Sequence, residues 1–248
     1  MKLFLPIICI AVLLSSCNNS STPQAGQTDS TKVQPPSAGV MVEKTLTREE
    51  QSALTPDAVL QMLKDGNAHF VKDSLTLRKY SAQVQSSASG QYPKAVILSC
   101  IDSRVPVEEI FDQGIGDVFV ARVAGNIENE DILGSMEYGC KVAGAKLIVV
   151  LGHTSCGAIH SAIDNVKLGN ITAMLAHIMP AVDSCQSFNG EKDSHNHEYL
   201  DAVTMKNVQL VVKEISSRSE VLRNMDKKGE IKIVGAVYDV ATGNVTFI

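Results

Sequence analysis

Two short segments, Cys100-Ile101-Asp102-Ser103-Arg104 and His153-Thr154-Ser155-Cys156, carry the side chains best equipped for chemistry in this 248-residue chain. Two thiolates and one imidazole suit zinc, a cation of borderline softness. The spacing His153-x-x-Cys156 lets one turn offer two donors to one metal. Gly152 and Gly157 flank it, as a tight strand-to-helix turn requires. With Cys156 in the first turn of a helix, the helix dipole favours its thiolate. Three protein donors leave a fourth position open, the pattern of a catalytic rather than a structural zinc.

Charge decides what Asp102 and Arg104 are for. Zinc with two thiolates is formally neutral, so it acidifies water less than a three-histidine site does. Asp102 can accept a hydrogen bond from the bound water and orient it, and Arg104 can keep Asp102 ionised through a bidentate pair. Released from Arg104, Asp102 becomes a conditional fourth zinc ligand that closes the site. A structural zinc site would leave Asp102 and Arg104 as a coincidental salt bridge. A redox protein would pair Cys100 with Cys156 and have no use for His153.

The elements that must position these residues are legible as apolar runs. Ala95–Leu98, Val118–Ala121 and Leu147–Leu151 read as fully buried parallel strands. Ile231–Val237 reads as a fourth, and Val245–Ile248 as a short fifth across the turn at Thr242-Gly243-Asn244. Helical stretches fall at Glu130–Ala143, from about Cys156 onward, at Ile171–Val182 and at Glu198–Ile215. Thr55-Pro56-Asp57 starts a helix that runs through Leu63 and Phe70, with Gly66-Asn67 as a weak spot where it kinks or breaks. Ser81–Gly90 reads as a polar segment and Ser184–His197 as a surface loop. Strands alternating with helices predict an α/β fold, a mainly parallel central sheet flanked by helices. Sites in such sheets form at the carboxyl ends of strands, which puts Cys100 and His153 on one edge.

Taken together, these motifs resemble the beta class of carbonic anhydrases. The segment Gly116–Asn126 is similar to that family's second strand and following loop, and the resemblance spans about Leu54–Ile248. It implies one zinc per chain on Cys100, His153 and Cys156, with Asp102 and Arg104 as the catalytic dyad. It implies reversible hydration of carbon dioxide to bicarbonate and a proton by zinc-bound hydroxide. It also implies a homodimer or homotetramer whose N-terminal helix packs on a partner subunit. Arg122 matches an arginine that some members use to bind bicarbonate at a regulatory pocket. Those members carry a tryptophan where this chain has Ile97, and this chain has no Trp. Two alternatives keep the metal: a non-catalytic zinc- and bicarbonate-binding module, and an enzyme for another small linear molecule such as carbon disulfide.

Composition narrows the partners. A net charge of -5 and an aromatic content of 4% offer neither a basic face nor stacking platforms, so no nucleic acid is expected. Met1-Lys2 precedes an apolar run, Leu3–Leu14, that is too short to span a membrane and has a signal-peptide pattern. Leu14-Ser15-Ser16-Cys17 resembles the lipobox of bacterial lipoproteins. That implies lipidation at Cys17 and export to the cell envelope, facing the periplasm, with the membrane reached only through the lipid anchor. Residues 1–17 are thus read as the signal, 18–45 as a disordered polar tether and 46–248 as the catalytic domain. Among the remaining cysteines, Cys140 reads as packed core and Cys185 lies near a polar loop. His160 is a candidate proton carrier with a packing role as the plainer reading, and His177, His195 and His197 read as surface histidines.

Overall fold

Four apolar runs become parallel strands, and their register fixes where the chemistry falls. The structure is a computed structural model that describes residues 41–248. The signal, Cys17 and most of the polar tether therefore lie outside the described residues. Val42 already pairs with the domain, bridging in parallel to Arg78. In chain order the helices and strands are α1 (Arg48–Ala53), α2 (Pro56–Val71), α3 (Tyr80–Ser87), β1 (Ala95–Ser99), α4 (Val107–Ile110) and β2 (Val118–Arg122). Then follow α5 (Glu130–Glu137), β3 (Leu147–His153), α6 (Gly157–Ile163), α7 (Gly169–Ala176) and α8 (Met179–Ser184). The last are α9 (His197–Arg218), α10 (Glu220–Lys227), β4 (Lys232–Tyr238) and β5 (Val245–Phe247).

The sheet order is β2-β1-β3-β4-β5, with the first four strands parallel and β5 antiparallel to β4. Every residue of β1 and β3 is buried, which is why both read as unbroken apolar runs. Alternation splits them between two layers. Val96, Leu98, Ile148 and Val150 pack with Val208, Val211 and Ile215 of α9. Ala95, Ile97, Leu147, Val149 and Leu151 pack with Val59 and Leu63 of α2 and Val107 and Ile110 of α4. Each of these Val, Leu and Ile side chains contributes about 1.5–3 kcal/mol by leaving water. A third apolar group caps the carboxyl ends of the strands. It contains Cys100, Cys156, Ile159, Leu175, Ile178, Tyr199, Leu200 and Val203.

Helix α2 begins as its sequence predicts. Thr55 accepts from the Ala58 N–H, and Pro56 occupies the first turn. The expected weak spot at Gly66-Asn67 is absent, because α2 runs unbroken through it. Gly66 instead permits close approach: a Cβ there would stand 2.0 Å from the Phe111 carbonyl oxygen. Asn67 is buried and donates to Ile110 O and Gly243 O while accepting from Val245 N–H. It stitches the helix to α4 and to the β4–β5 turn.

Other departures have local causes. Tyr80–Ser87 is helical despite its polarity, and Gln83 is buried in it, accepting from Ile115 N–H. The single helix expected over Ile171–Val182 is two, parted at His177-Ile178, with Pro180 in the first turn of α8. The crossover helix stays α-helical to Glu137 and finishes as a π-turn over Tyr138–Val142. There Gly139 lies so close to β1 that a Cβ would meet Val96 Cγ2 at 2.5 Å. Helix α10 is amphipathic, burying Leu222 and Met225 on one face, and Ser219 caps it.

Candidate metal centre

Parallel pairing of β1 with β3 sets Ser99 beside Leu151, so the chain leaves both strands at the same edge. Cys100 follows β1 directly, His153 ends β3, and Cys156 is the N-cap of α6. The turn between the last two needs a left-handed residue, supplied by Ser155 at φ 53°. One donor atom each from Cys100, His153 and Cys156 lies within 4.8 Å of the others, and all three residues are buried. The two sulfurs are 4.0 Å apart. Two thiolates on one tetrahedral zinc stand about 3.8 Å apart, given Zn–S bonds of about 2.3 Å.

The imidazole is prepared in the same sense. His153 Nδ1 lies 2.9 Å from Thr154 O, so Nδ1 carries the proton and Nε2 keeps a free lone pair. That Nε2 is buried and has no hydrogen-bond partner. Its nearest carboxylate oxygen, Asp102 Oδ2, is 3.8 Å away, beyond hydrogen-bonding reach. An orphaned basic nitrogen facing two thiols is a donor set that fits a borderline-soft divalent cation.

The thiols are unequal. Cys100 is lowered to about 4, chiefly by the Cys156 S–H and further by the Gly125 N–H, against the opposing effect of burial. Cys156 is raised, first by Cys100 beside it and then by burial, although the Ile159 and Ala158 N–H groups of α6 favour its thiolate. Helix α6 therefore acts on Cys156 in the predicted direction, and the neighbouring sulfur outweighs it until a cation is there to balance both charges.

Asp102 rests on Arg104. Arg104 Nε donates to Oδ1 at 3.0 Å and Nη2 to Oδ2 at 2.8 Å, and the Arg104 backbone N–H adds a bond at 2.9 Å. This grip holds Asp102 at about 2, below the usual carboxylate range, against the opposing effect of partial burial. Arg104 Nη2 also donates to Ser155 O, which ties the two motif segments together.

Arg122 turns inward at the end of β2. Its Nε donates to Cys100 O at 2.9 Å and its Nη2 to Asp102 O at 2.6 Å, clamping the loop between the sulfur and the carboxylate. Gly125 and Asn126 take successive left-handed conformations, at φ 73° and 44°, and the Gly125 N–H reaches Cys100 Sγ at 3.4 Å. The Gly-Asn pair was the readable signal for this turn. Nothing in the local sequence marks Asn207 on α9, which donates to Gly125 O.

The remaining candidates stand apart from this cluster. Cys140 is buried in the π-turn, where burial pushes its thiol up to about 12. Cys185 is half-buried at the end of α8, also raised by burial. His160 is half-buried on α6, while His177, His195 and His197 are exposed. The described cysteines are free thiols.

A mainly parallel sheet whose strand ends deliver two thiols and an imidazole to one buried point is an α/β fold with a candidate metal centre at its carboxyl edge. The family model described as carbonic anhydrase matches residues 95–245. Carbonic anhydrase 2 of Mycobacterium tuberculosis is 35% identical over 194 residues, covering 76% of this chain and 90% of that protein. The carbonic anhydrase of Mycolicibacterium smegmatis is 36% identical over 196 residues, covering 77% of this chain and 92% of that protein. A beta-carbonic anhydrase of Aspergillus fumigatus superposes with a TM-score of 0.61 at 23% identity, over 77% of this chain and 89% of that one. Tetrameric beta-carbonic anhydrases of Sordaria macrospora give 0.58 at 21% identity, over 77% and 92%. The chain belongs to the carbonic anhydrase family.

Proposed function

We propose that this chain catalyses the reversible hydration of carbon dioxide with one zinc ion held by Cys100, His153 and Cys156. The observation that carries this reading is the buried, partnerless Nε2 of His153 facing two thiols. When bound, zinc supplies the Lewis acidity that makes water a nucleophile near neutral pH.

The chain's own residues do the rest. Arg104 keeps Asp102 ionised and engages both of its oxygens, so the carboxylate serves as an acceptor for a proton on water rather than as a fourth ligand. Asp102 orients that water, and Arg122 keeps the loop from drifting by holding the carbonyls of Cys100 and Asp102. The apolar cap around the cysteines keeps bulk water from the ligands and strengthens each charge interaction there.

The test pairs zinc content with carbon dioxide hydration followed by stopped-flow acidification. About one zinc per chain with turnover is expected. Bound zinc without turnover at alkaline pH would instead mark a binding module. Asp102→Asn should cut turnover while zinc stays bound.

The working form is a homo-oligomer. What supports this is the sheet edge at β2, whose residues are only partly buried and border a groove of about 710 Å³ lined by Phe119, Ile132 and Tyr138. The tetrameric Sordaria relatives point the same way. Export and lipid anchoring at Cys17 complete the reading. Its support is the apolar run Leu3–Leu14 followed by Leu14-Ser15-Ser16-Cys17 and then a polar tether. Release of a Cys17→Ser variant from the membrane fraction tests it, and a variant that stays membrane-bound counts against it.

A further inference from the structure

Asn207 sits on α9, 82 residues from Gly125 in sequence, and is 2% exposed. Its side-chain amide donates to the Gly125 carbonyl oxygen at 2.9 Å. The same glycine sends its N–H to Cys100 Sγ. We propose that Asn207 is a positioning residue for the Cys100 sulfur: by holding Gly125 it aims that N–H at the thiolate and sets how firmly the thiolate holds zinc. This rests on the zinc reading above.

The turn is closed by Asn126 N–H donating to Val123 O at 3.0 Å, but that bond does not hold the Gly125 carbonyl. Gly125 lies at φ 73° and ψ 15°, where a side chain is strained, and a Cβ would meet Ile178 Cδ1 at 2.5 Å. The turn is tethered to β1 before it by Val123 N–H to Ser99 O. Asn207 provides the tether from the opposite side. Its own helix is braced on β3, because Val208 Cγ2 would stand 2.6 Å from a Cβ at Gly152, the residue before His153. One side chain therefore registers the Cys100 cap against the strand that carries the imidazole.

The chemistry follows from charge. An N–H directed at a thiolate withdraws electron density from sulfur and lowers its appetite for a proton. In the proposed two-thiolate zinc site, an N–H so placed would offset part of the ligand charge and hold the sulfur in its ligating position. With the amide lost from residue 207, the Gly125–Asn126 peptide loses this anchor, and the Gly125 N–H in the preceding peptide is held less firmly against the sulfur.

Two variants test this, Asn207→Asp and Asn207→Leu, with Thr204→Val as control. Thr204 is also buried on α9, but its hydroxyl has no hydrogen-bond partner. Zinc release to a chelator at neutral pH should accelerate about 10- to 100-fold in the Asn207 variants and stay at the wild-type rate in Thr204→Val. In cobalt-substituted protein the thiolate-to-cobalt absorption should move to lower energy in the Asn207 variants alone. Folded Asn207 variants with wild-type release and an unmoved band overturn the proposal. A wild-type chain that takes up neither zinc nor cobalt overturns the metal reading itself. If both Asn207 variants fail to fold, cadmium-113-loaded wild-type protein decides: coupling between the Gly125 amide proton and the metal supports the proposal, and its absence overturns it.

Discussion

Arg104 grips Asp102 by two parallel hydrogen bonds, Nε to Oδ1 and Nη2 to Oδ2, while half of the arginine side chain remains exposed. The carboxylate is thereby charged and occupied at once. Arg104→Ala should free Asp102 to turn toward His153 and the thiols. Turnover should fall by about 10²-fold or more while zinc content is kept. Stopped-flow hydration with metal analysis on the same sample measures both, and wild-type turnover in this variant would remove Arg104 from the mechanism.

A second carboxylate governs stability rather than chemistry. Asp112 is buried and accepts from Arg78, Thr76 and His69. Burial alone would raise its pKa, but these donors outweigh burial and lower it. A depressed folded value means the stabilisation is present above the ordinary carboxylate range. It is lost as pH falls through the lower folded value. Asp112→Asn should therefore destabilise the neutral protein, by about 3–5 kcal/mol, because Arg78 is left buried without its counter-charge. The variant should also lose less stability on acidification below about pH 4 than the wild type does. Urea titrations at pH 7 and pH 3 check both, and a loss under about 1 kcal/mol at pH 7 would contradict the first.

Gly66→Ala probes the approach of α2 to α4. In an ordinary helix the change stabilises by up to about 1 kcal/mol. Here the new methyl meets the Phe111 backbone at 2.0 Å, so a loss of about 1–3 kcal/mol is expected. A gain in melting temperature would show that the two elements are further apart than described.

Thiol mapping should separate Cys185 from Cys140. Both thiols are raised by burial, but only Cys185 is partly reachable. In zinc-loaded protein an alkylating reagent should label Cys185 slowly and leave Cys140 untouched until denaturant is added. Peptide mass spectrometry reads the order, and early labelling of Cys140 would mean that the π-turn opens readily.

Tyr138→Glu places a charge on an exposed aromatic beside the free edge of β2. If this groove seats a second copy, sedimentation should show smaller species with the melting temperature of the dissociated form. Unaltered assembly would move the interface elsewhere.

The cluster of Cys100, His153 and Cys156 is legible in the chain because Cys100 and His153 sit at the ends of strands that must be apolar throughout. Leu147–Leu151 announces a buried strand, and the glycine and histidine that follow can only lie at its carboxyl edge. Asp102 and Arg104 were legible for the same reason, being two and four residues beyond a ligand. Asn207 was not, because its partner is remote in sequence and a lone asparagine in a helix has many ordinary uses. Gly66-Asn67 was misread because a helix-weakening pair looks the same in sequence whether it breaks a helix or admits a neighbour. The Phe111 carbonyl and the three Asn67 bonds that distinguish the cases come from elsewhere in the chain.

Cys100 and Cys156 are also members of the apolar cap over the sheet. Their sulfurs belong to the packing as much as to the chemistry. A cation that ligates them binds the folded chain and has no comparable site on the unfolded one. If zinc is that cation, the folding equilibrium would be linked to free zinc, at about 2.7 kcal/mol when the metal stands at a hundred times its dissociation constant. If the proposed zinc site is filled, metal supply in the surroundings would set part of the stability of the fold as well as the activity.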